Sequence, residues 1–266
     1  MRALMVGDVV GGVGLRALLE MLPALRDQHR PDLVVVNAEN AADGTGTSAR
    51  QAGELLDAGV DVLTGGNHSL KRTDFHAVLR DNPRVLRPAN LPPAGAPGRG
   101  LTVVPTPAGD AAVINLQGAV FLNSTDNPFS VVDELVDRAR AVARHVFLDF
   151  HSEATSEATA MGRHLDGRVT AVVGTHTHVQ TADARVFPGG TAYMTDLGMT
   201  GPHDSVIGVR SDIIVRRFLG TDTTARFQVA EGEVLVQGAL ITADADGRAT
   251  SIQAFSLPAP PTRDPA

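Results

Sequence analysis

The chain has no cysteine among its 266 residues. This excludes disulfides, thiolate metal ligands and a cysteine nucleophile together. No apolar run approaches the ~20 residues that a membrane span requires. The amino-terminal stretch MRALMVGDVV turns from apolar to Gly-Asp too soon for a secretory leader. A cytoplasmic protein without membrane association is the expectation. Positive charge is scarce as well: 23 basic residues face 30 acidic ones, the formal net charge is −7, and Lys71 is the only lysine. That balance argues against stable binding to DNA or acidic membranes, which need a basic footprint. It does not exclude one local positive pocket. No internal repeat is visible. With 43% hydrophobic and 20% charged residues, the chain is long enough for one large domain with a sizeable core.

What is present is an alternation of short apolar runs and amphipathic stretches. RALMVG (2–7), DLVVVNAEN (32–40) and VDVLTGGNHS (60–69) read as strands. Between them LRALLEMLPALRDQ (15–28) and SARQAGELLDAG (48–59) read as helices, and Pro23 marks a kink or break in the first. Strands spaced by helices predict βαβ units and a mainly parallel sheet. The Pro- and Gly-rich residues 82–100 predict a long loop, LTVVPT and AAVINLQG a hairpin, and NSTDNPFS (123–130) another loop. VVDELVDRARAVAR (131–144) is helical, and HVFLDFHSEAT and VTAVVGTHTH each run from strand to loop. Short strands follow at TAYMTDLG, FQVAEGEVLVQGALITADADG and ATSIQAF. The expected division is a single domain over 1–255 and a Pro-rich, loosely packed tail over 256–266.

Five strand ends carry polar residues: Gly7-Asp8, Asn37-Ala38-Glu39-Asn40, Gly65-Gly66-Asn67-His68, Asp149-Phe150-His151 and His176-Thr177-His178. In open α/β sheets, ligands gather outside the carboxyl ends of strands. Each motif has a plainer reading. Asp8 fits a helix cap, Glu39-Asn40 a polar loop, and His151 an interior histidine with one hydrogen bond. Asn67-His68 follows two glycines, which permit close backbone approach to a ligand. His176 and His178 are the stronger pair, because residues i and i+2 in extended backbone face one side and both rings can reach one centre. Neutral imidazole suits zinc, iron or manganese.

Taken in order, Gly7-Asp8, Glu39-Asn40, Gly66-Asn67-His68, His151 and GTHTH (174–178) resemble the calcineurin-like metallophosphoesterase superfamily. The bacterial YmdB-like branch is the closer match, through VVVNAENAADG, LTGGNHS, DFHSEATSE, VVGTHTHVQTAD and MTDLGMTGP. The chain departs from the wider superfamily in having Val9-Val10 after Asp8 where Asp-x-His is usual, and Glu39 where an aspartate usually bridges. The resemblance implies a four-layer α/β/β/α sandwich. It implies two metal ions, iron or manganese with zinc or magnesium as the other candidates. Asp8, Glu39, Asn40 and His178 would hold one; Glu39, Asn67, His151 and His176 would hold the other. It also implies that His68 contacts the phosphate and protonates the leaving oxygen as a bridging hydroxide attacks.

Two divalent ions against Asp8 and Glu39 leave about +2 at the site, enough to draw a phosphate anion to an acidic protein. The implied substrate is a cyclic nucleotide, 2′,3′-cyclic and also 3′,5′-cyclic, and the chain is compatible with a homo-oligomer. A phosphomonoesterase or phosphoprotein phosphatase of the same fold is the alternative, as is a regulator that binds metal or nucleotide without catalysis. An amidohydrolase-type metal enzyme fits poorly, since its His-x-His pair follows the first strand. Asp149 and Glu153 flank His151 and either orient its ring or cap the next helix; Asp196 is a similar case. Lys71 and Arg72 beside His68 either bind phosphate or form a solvated pair.

Overall fold

In the computed structural model, which describes residues 1–91, 95–122 and 126–260, the chain begins with β1 (Arg2–Val6), β2 (Asp8–Val9), α1 (Gly11–His29), β3 (Leu33–Asn37), α2 (Ala49–Asp57), β4 (Val62–Thr64) and α3 (His76–Asp81). The middle supplies β5 (Leu101–Val104), β6 (Ala111–Gln117), α4 (Pro128–Arg140), β7 (His145–His151), α5 (Thr155–His164) and β8 (Ala171–Thr175). The last part holds β9 (Arg185–Val186), β10 (Ala192–Met194), β11 (Met199–Pro202), α6 (Ser211–Phe218), β12 (Val234–Ala243) and β13 (Ala249–Pro258).

Two sheets result. One is ordered β2-β11-β12-β1-β3-β4, with β13 also paired to β12; the other is β5-β6-β7-β8-β10-β9. The central neighbours β1, β3 and β4 run parallel, as do β6, β7, β8 and β10. Alternation along each strand explains the stacking. Leu4, Val6, Val34 and Val36 turn outward onto Leu15, Leu18 and Leu22 of α1 and Leu55 of α2. Ile114, Leu148 and Val172 turn outward onto Val132 and Val136 of α4 and Met161 of α5. Ala3, Met5, Val35, Val113, Phe147 and Val173 fill the space between the sheets. The order of layers is α/β/β/α, as the resemblance implies.

The inward-facing rows place the site. Leu33 and Val35 lead to Asn37, Val62 to Thr64, and Val113 to Asn115. Phe147 leads to Asp149 and His151, and Val173 to Thr175. Apolar side chains give way to polar ones in step, and the polar ends are buried. A layer of polar groups therefore closes the inter-sheet core at the carboxyl edge.

Several expectations are corrected. Helix α1 begins at Gly11 rather than Leu15 and continues through Pro23, which lies on its exposed side. Helix α4 begins at Pro128, capped by Asn127, inside the stretch read as a loop; residues 123–125 of that stretch lie outside the described residues. Helix α6 has no counterpart in the sequence reading. The boundary at 256 falls inside β13, which stays paired to β12 as far as Pro258, and the Ala259 N–H bonds the Val234 carbonyl. Ordered pairing therefore replaces the loose packing expected there, and residues 261–266 lie outside the described residues. Among the described residues no helix is long and apolar enough to cross a membrane.

Pro23 removes an N–H from the interior of α1. Replacing it with alanine should raise the unfolding free energy by up to about 3 kcal/mol, seen as a higher urea midpoint. An unchanged or lower midpoint would refute this account of α1.

Candidate metal centre

The centre is organised from Asp149. Its carboxylate is buried between the sheets and accepts hydrogen bonds from the Thr64 hydroxyl, from Asn37 Nδ2 at 3.0 Å and from the Thr175 hydroxyl at 2.7 Å. Because Thr175 donates to Asp149, it must accept from its other two neighbours, Asn37 Nδ2 at 3.1 Å and His151 Nδ1 at 2.9 Å. That fixes the tautomer of His151 and leaves Nε2 to face the centre. Around Nε2 lie Asn67 Oδ1 at 3.0 Å, Glu39 Oε1 at 3.1 Å and His176 Nδ1 at 3.0 Å. One ring nitrogen cannot serve three such partners with one proton. Ligand atoms of Glu39, His151 and His176 lie within 4.8 Å of one another, the spacing of a metal site. The donor set, oxygen and imidazole, suits such an ion.

His176 and His178 do not lie in extended backbone, contrary to the period-two argument. Strand β8 stops at Thr175, and the two histidines have φ of 110° and 63°. Two buried carboxylates hold this bend. Asp8 Oδ2 accepts the His176 N–H at 3.0 Å, and Asp196 Oδ2 accepts the Thr177 N–H at 2.9 Å. Positive φ at a non-glycine residue costs about 1–3 kcal/mol and persists only where the surroundings enforce it. The rings then take separate positions. His176 turns Nε2 to Glu153 Oε2 at 3.1 Å and Nδ1 to the centre. His178 donates Nδ1–H to the Ile207 carbonyl at 2.9 Å and turns Nε2 to Asn40 Nδ2 at 3.1 Å and Asp8 Oδ1 at 3.9 Å.

Glu39 stands between the two groups. Its Oε1 lies 3.1 Å from His151 Nε2 and 3.3 Å from Asn40 Nδ2, while Oε2 accepts the His68 N–H at 3.1 Å. The Asn40 amide presents its nitrogen to His178 and its oxygen to His68 Nδ1, 2.8 Å away. All eight residues singled out from the sequence therefore converge here. Gly66 makes the convergence sterically feasible. A Cβ at this position would stand 2.2 Å from His151 Nε2 and 2.3 Å from Glu39 Oε2.

Electrostatics at the centre follow from burial without strong cations. Among the described residues no lysine or arginine pairs with Asp8, Glu39, Asp149 or Asp196; the imidazoles of His68, His151 and His178 are the partners of Glu39 and Asp8. Burial, partly offset by His151, lifts Asp8 to about 7, and burial with Asp8 nearby lifts Asp196 to about 7. Burial would lift Glu39 too, but His151 and His68 outweigh it and hold the carboxyl well below the usual range. For His151, burial lowers the pKa, yet Glu39 and then Asp8 and Asp149 outweigh it and raise it to about 9. Burial and the neighbouring His151 depress His176 to about 3. Asp8 Oδ1 is buried with no hydrogen-bond partner among the described residues. An orphaned carboxylate oxygen facing an imidazole nitrogen fits a cation bound between them.

Other candidates sort clearly. Asp149 orients His151 through Thr175, whereas Glu153 touches His176 rather than His151. Asp196 shapes the 176–178 bend. Lys71 is exposed and Arg72 pairs with Asp74 at 3.4 Å, and neither lines the cavity beside the centre. Sequence reading placed Asn37 at a strand end but without a role, and it missed Thr64 and Thr175. Their only signal was a small polar residue ending an apolar strand. The cavity holds about 340 Å³ and is bounded by Glu39, Asn40, His68, His176 and His178 on the polar side.

The sequence and the fold both have known relatives. The chain matches the YmdB-like protein family over residues 4–255. It is 46% identical over 244 residues to the 2′,3′-cyclic-nucleotide 2′-phosphodiesterase of Bacillus subtilis (strain 168), with 92% of each chain covered. The crystal structure of a hypothetical protein from Thermus thermophilus superposes with a TM-score of 0.91 at 38% identity, over 98% of this chain and 100% of that one. That of a novel phosphatase from Mycoplasma pneumoniae gives a TM-score of 0.90 at 32% identity, over 97% and 94%.

Two outcomes are expected. Gly66→Ala should lose bound metal on elemental analysis and cost about 1–3 kcal/mol of stability through overpacking; wild-type metal content in this variant would contradict the geometry. A cation entering the cluster must displace the proton His151 carries below about pH 9. Apparent metal affinity should therefore climb with pH up to that value, and calorimetry in buffers of different ionisation enthalpy should detect proton release near neutrality. Affinity flat across this range would count against His151 as a ligand.

Proposed function

The chain belongs to the YmdB-like family, and from that premise we propose that it is a metal-dependent phosphodiesterase whose substrates are cyclic nucleotides, 2′,3′-cyclic diesters first and 3′,5′-cyclic ones second. The observation that carries this reading is the convergence of seven residues with oxygen or imidazole donors, Glu39 at their middle, with His68 beside them at a cavity wall. The kinship with a 2′,3′-cyclic-nucleotide 2′-phosphodiesterase supports the substrate class.

Asp8, Glu39, Asn40 and His178 would hold one divalent ion, and Glu39, Asn67, His151 and His176 a second. Turning the Asn40 amide over would bring its oxygen to the first set and its nitrogen to His68 Nδ1, so that Nδ1 stays engaged by Asn40 in either orientation. Ions so held would lower the pKa of a water and offset charge on the phosphoryl oxygens. The chain's own residues do the remainder. The Asp149–Thr175 relay and Glu153 keep His151 Nε2 and His176 Nδ1 aimed at the centre, and Ile207 does the same for His178 Nε2. Glu39 and Asn40 hold His68 from its backbone N–H and Nδ1. The proton that His68 delivers to the leaving ribose oxygen therefore comes from Nε2.

General acid catalysis contributes about 10²–10⁴-fold. His68→Ala should retain metal and lose about that factor on 2′,3′-cyclic nucleotides. It should lose much less on a nitrophenyl diester, whose leaving group needs no proton. Equal losses on both esters would remove His68 from this role. Protein purified without chelator, analysed for metals and tested on cyclic diesters, monoesters and a phosphoprotein, checks the substrate class. Turnover of monoesters alone would favour the phosphomonoesterase alternative.

A further inference from the structure

The cavity at the centre has two unlike sides. Its lining also includes an apolar wall, with Ile207, Phe227 and Val229. A phosphate gains nothing from such a wall, so it faces whatever the phosphate is attached to. Phe227 and Ile207 are large apolar side chains left 58% and 52% exposed at this place. Exposed apolar surface beside a polar site marks a binding surface. The Arg217 guanidinium lies 4.8 Å from the Phe227 ring centroid. It stands over one face of the ring and steadies it by a cation–π contact, so a ligand would stack on the other.

Ile207 adds an independent observation. Val206 and Val209 exchange N–H···O bonds of 2.8 and 3.0 Å, so Ile207 and Gly208 are the central pair of a two-residue hairpin. Their φ values are 47° and 97°, the geometry that favours Asn-Gly. A β-branched residue is strained there. The turn is kept at the site because the Ile207 carbonyl anchors His178. Asparagine would serve that backbone role better, so the isoleucine side chain is present for what it touches.

We propose that Phe227 is the platform on which the substrate's nucleobase stacks, with Ile207 completing the same wall. The site thereby selects phosphodiesters that carry a nucleoside over those that do not. The assignment rests on the cyclic-nucleotide reading above. The test compares kcat/KM for 2′,3′-cyclic AMP with that for glycerol 1,2-cyclic phosphate, which has the same five-membered diester and no base. Base–aromatic stacking corresponds to about a tenfold effect. Phe227→Ala should lower the ratio of the two by about that factor, mainly through KM for the nucleotide, and Phe227→Trp should restore it. Ile207→Asn should lower the ratio in the same direction while raising the thermal midpoint. An unchanged ratio in Phe227→Ala, or an equal fall for both substrates, overturns the platform and leaves the reaction assignment standing. Wild-type protein that hydrolyses neither cyclic diester overturns the cyclic-nucleotide reading itself.

Discussion

Four carboxylates, those of Asp8, Glu39, Asp149 and Asp196, are buried where the two sheets end, with no lysine or arginine beside them among the described residues. Taking one such charge out of water costs several kcal/mol unless it is paired and hydrogen-bonded. Each is answered differently. Asp149 is surrounded by hydroxyl and amide donors. Asp196 takes two backbone N–H groups and a threonine hydroxyl. Glu39 relies on imidazoles. Asp8 has one oxygen satisfied and one not. The remaining deficit of positive charge lies between Asp8 and Glu39, and that is the condition a metal centre meets.

This constraint reaches the backbone as well as the side chains. The bend at His176 and His178 exists because Asp8 and Asp196 take N–H groups that would otherwise continue strand β8. Their burial supplies the driving force that holds two histidines at positive φ. Strain, charge and ligand direction are therefore one arrangement. Neutralising either aspartate would weaken the N–H acceptor, release the bend and turn both rings away from the centre.

The strands and the polar residues at their ends were legible in the sequence because they depend on local signals, whereas the four-layer order came from the family resemblance alone. Short apolar runs gave the strands, and Asp, Glu, Asn and His residues at their ends gave the candidate donors. What was not legible is nonlocal. Thr175 looks like an ordinary strand residue until Asp149 from β7 and His151 appear beside it. His176 and His178 read as extended because nothing in GTHTH announces the acceptors waiting at Asp8 and Asp196, distant in sequence. Both faces of β3, β6, β7 and β8 are buried, so the change from apolar to polar along the inward row is hidden within continuous hydrophobic runs. Helix α6 escaped because few of its residues are buried: only Ile213 is enclosed, and Val215 and Phe218 are exposed.

The three inward histidines share a residue type but differ as ligands. His151 is backed by a hydroxyl that is itself bound to a carboxylate, His176 directly by the Glu153 carboxylate, and His178 by a neutral backbone carbonyl. A carboxylate behind an imidazole raises its basicity as a ligand more than a carbonyl does. His151 and His176 belong to one proposed ion set, whereas His178 belongs to the other, together with Asp8 and the amide of Asn40. On the two-ion reading, one position has two carboxylate-supported imidazoles and the other has one carbonyl-supported imidazole and a second direct carboxylate. Such positions differ in charge and in donor softness. On that reading the two positions would distinguish their ions, and the asymmetry would originate in Glu153, Thr175 and Ile207 as well as in the ligands themselves.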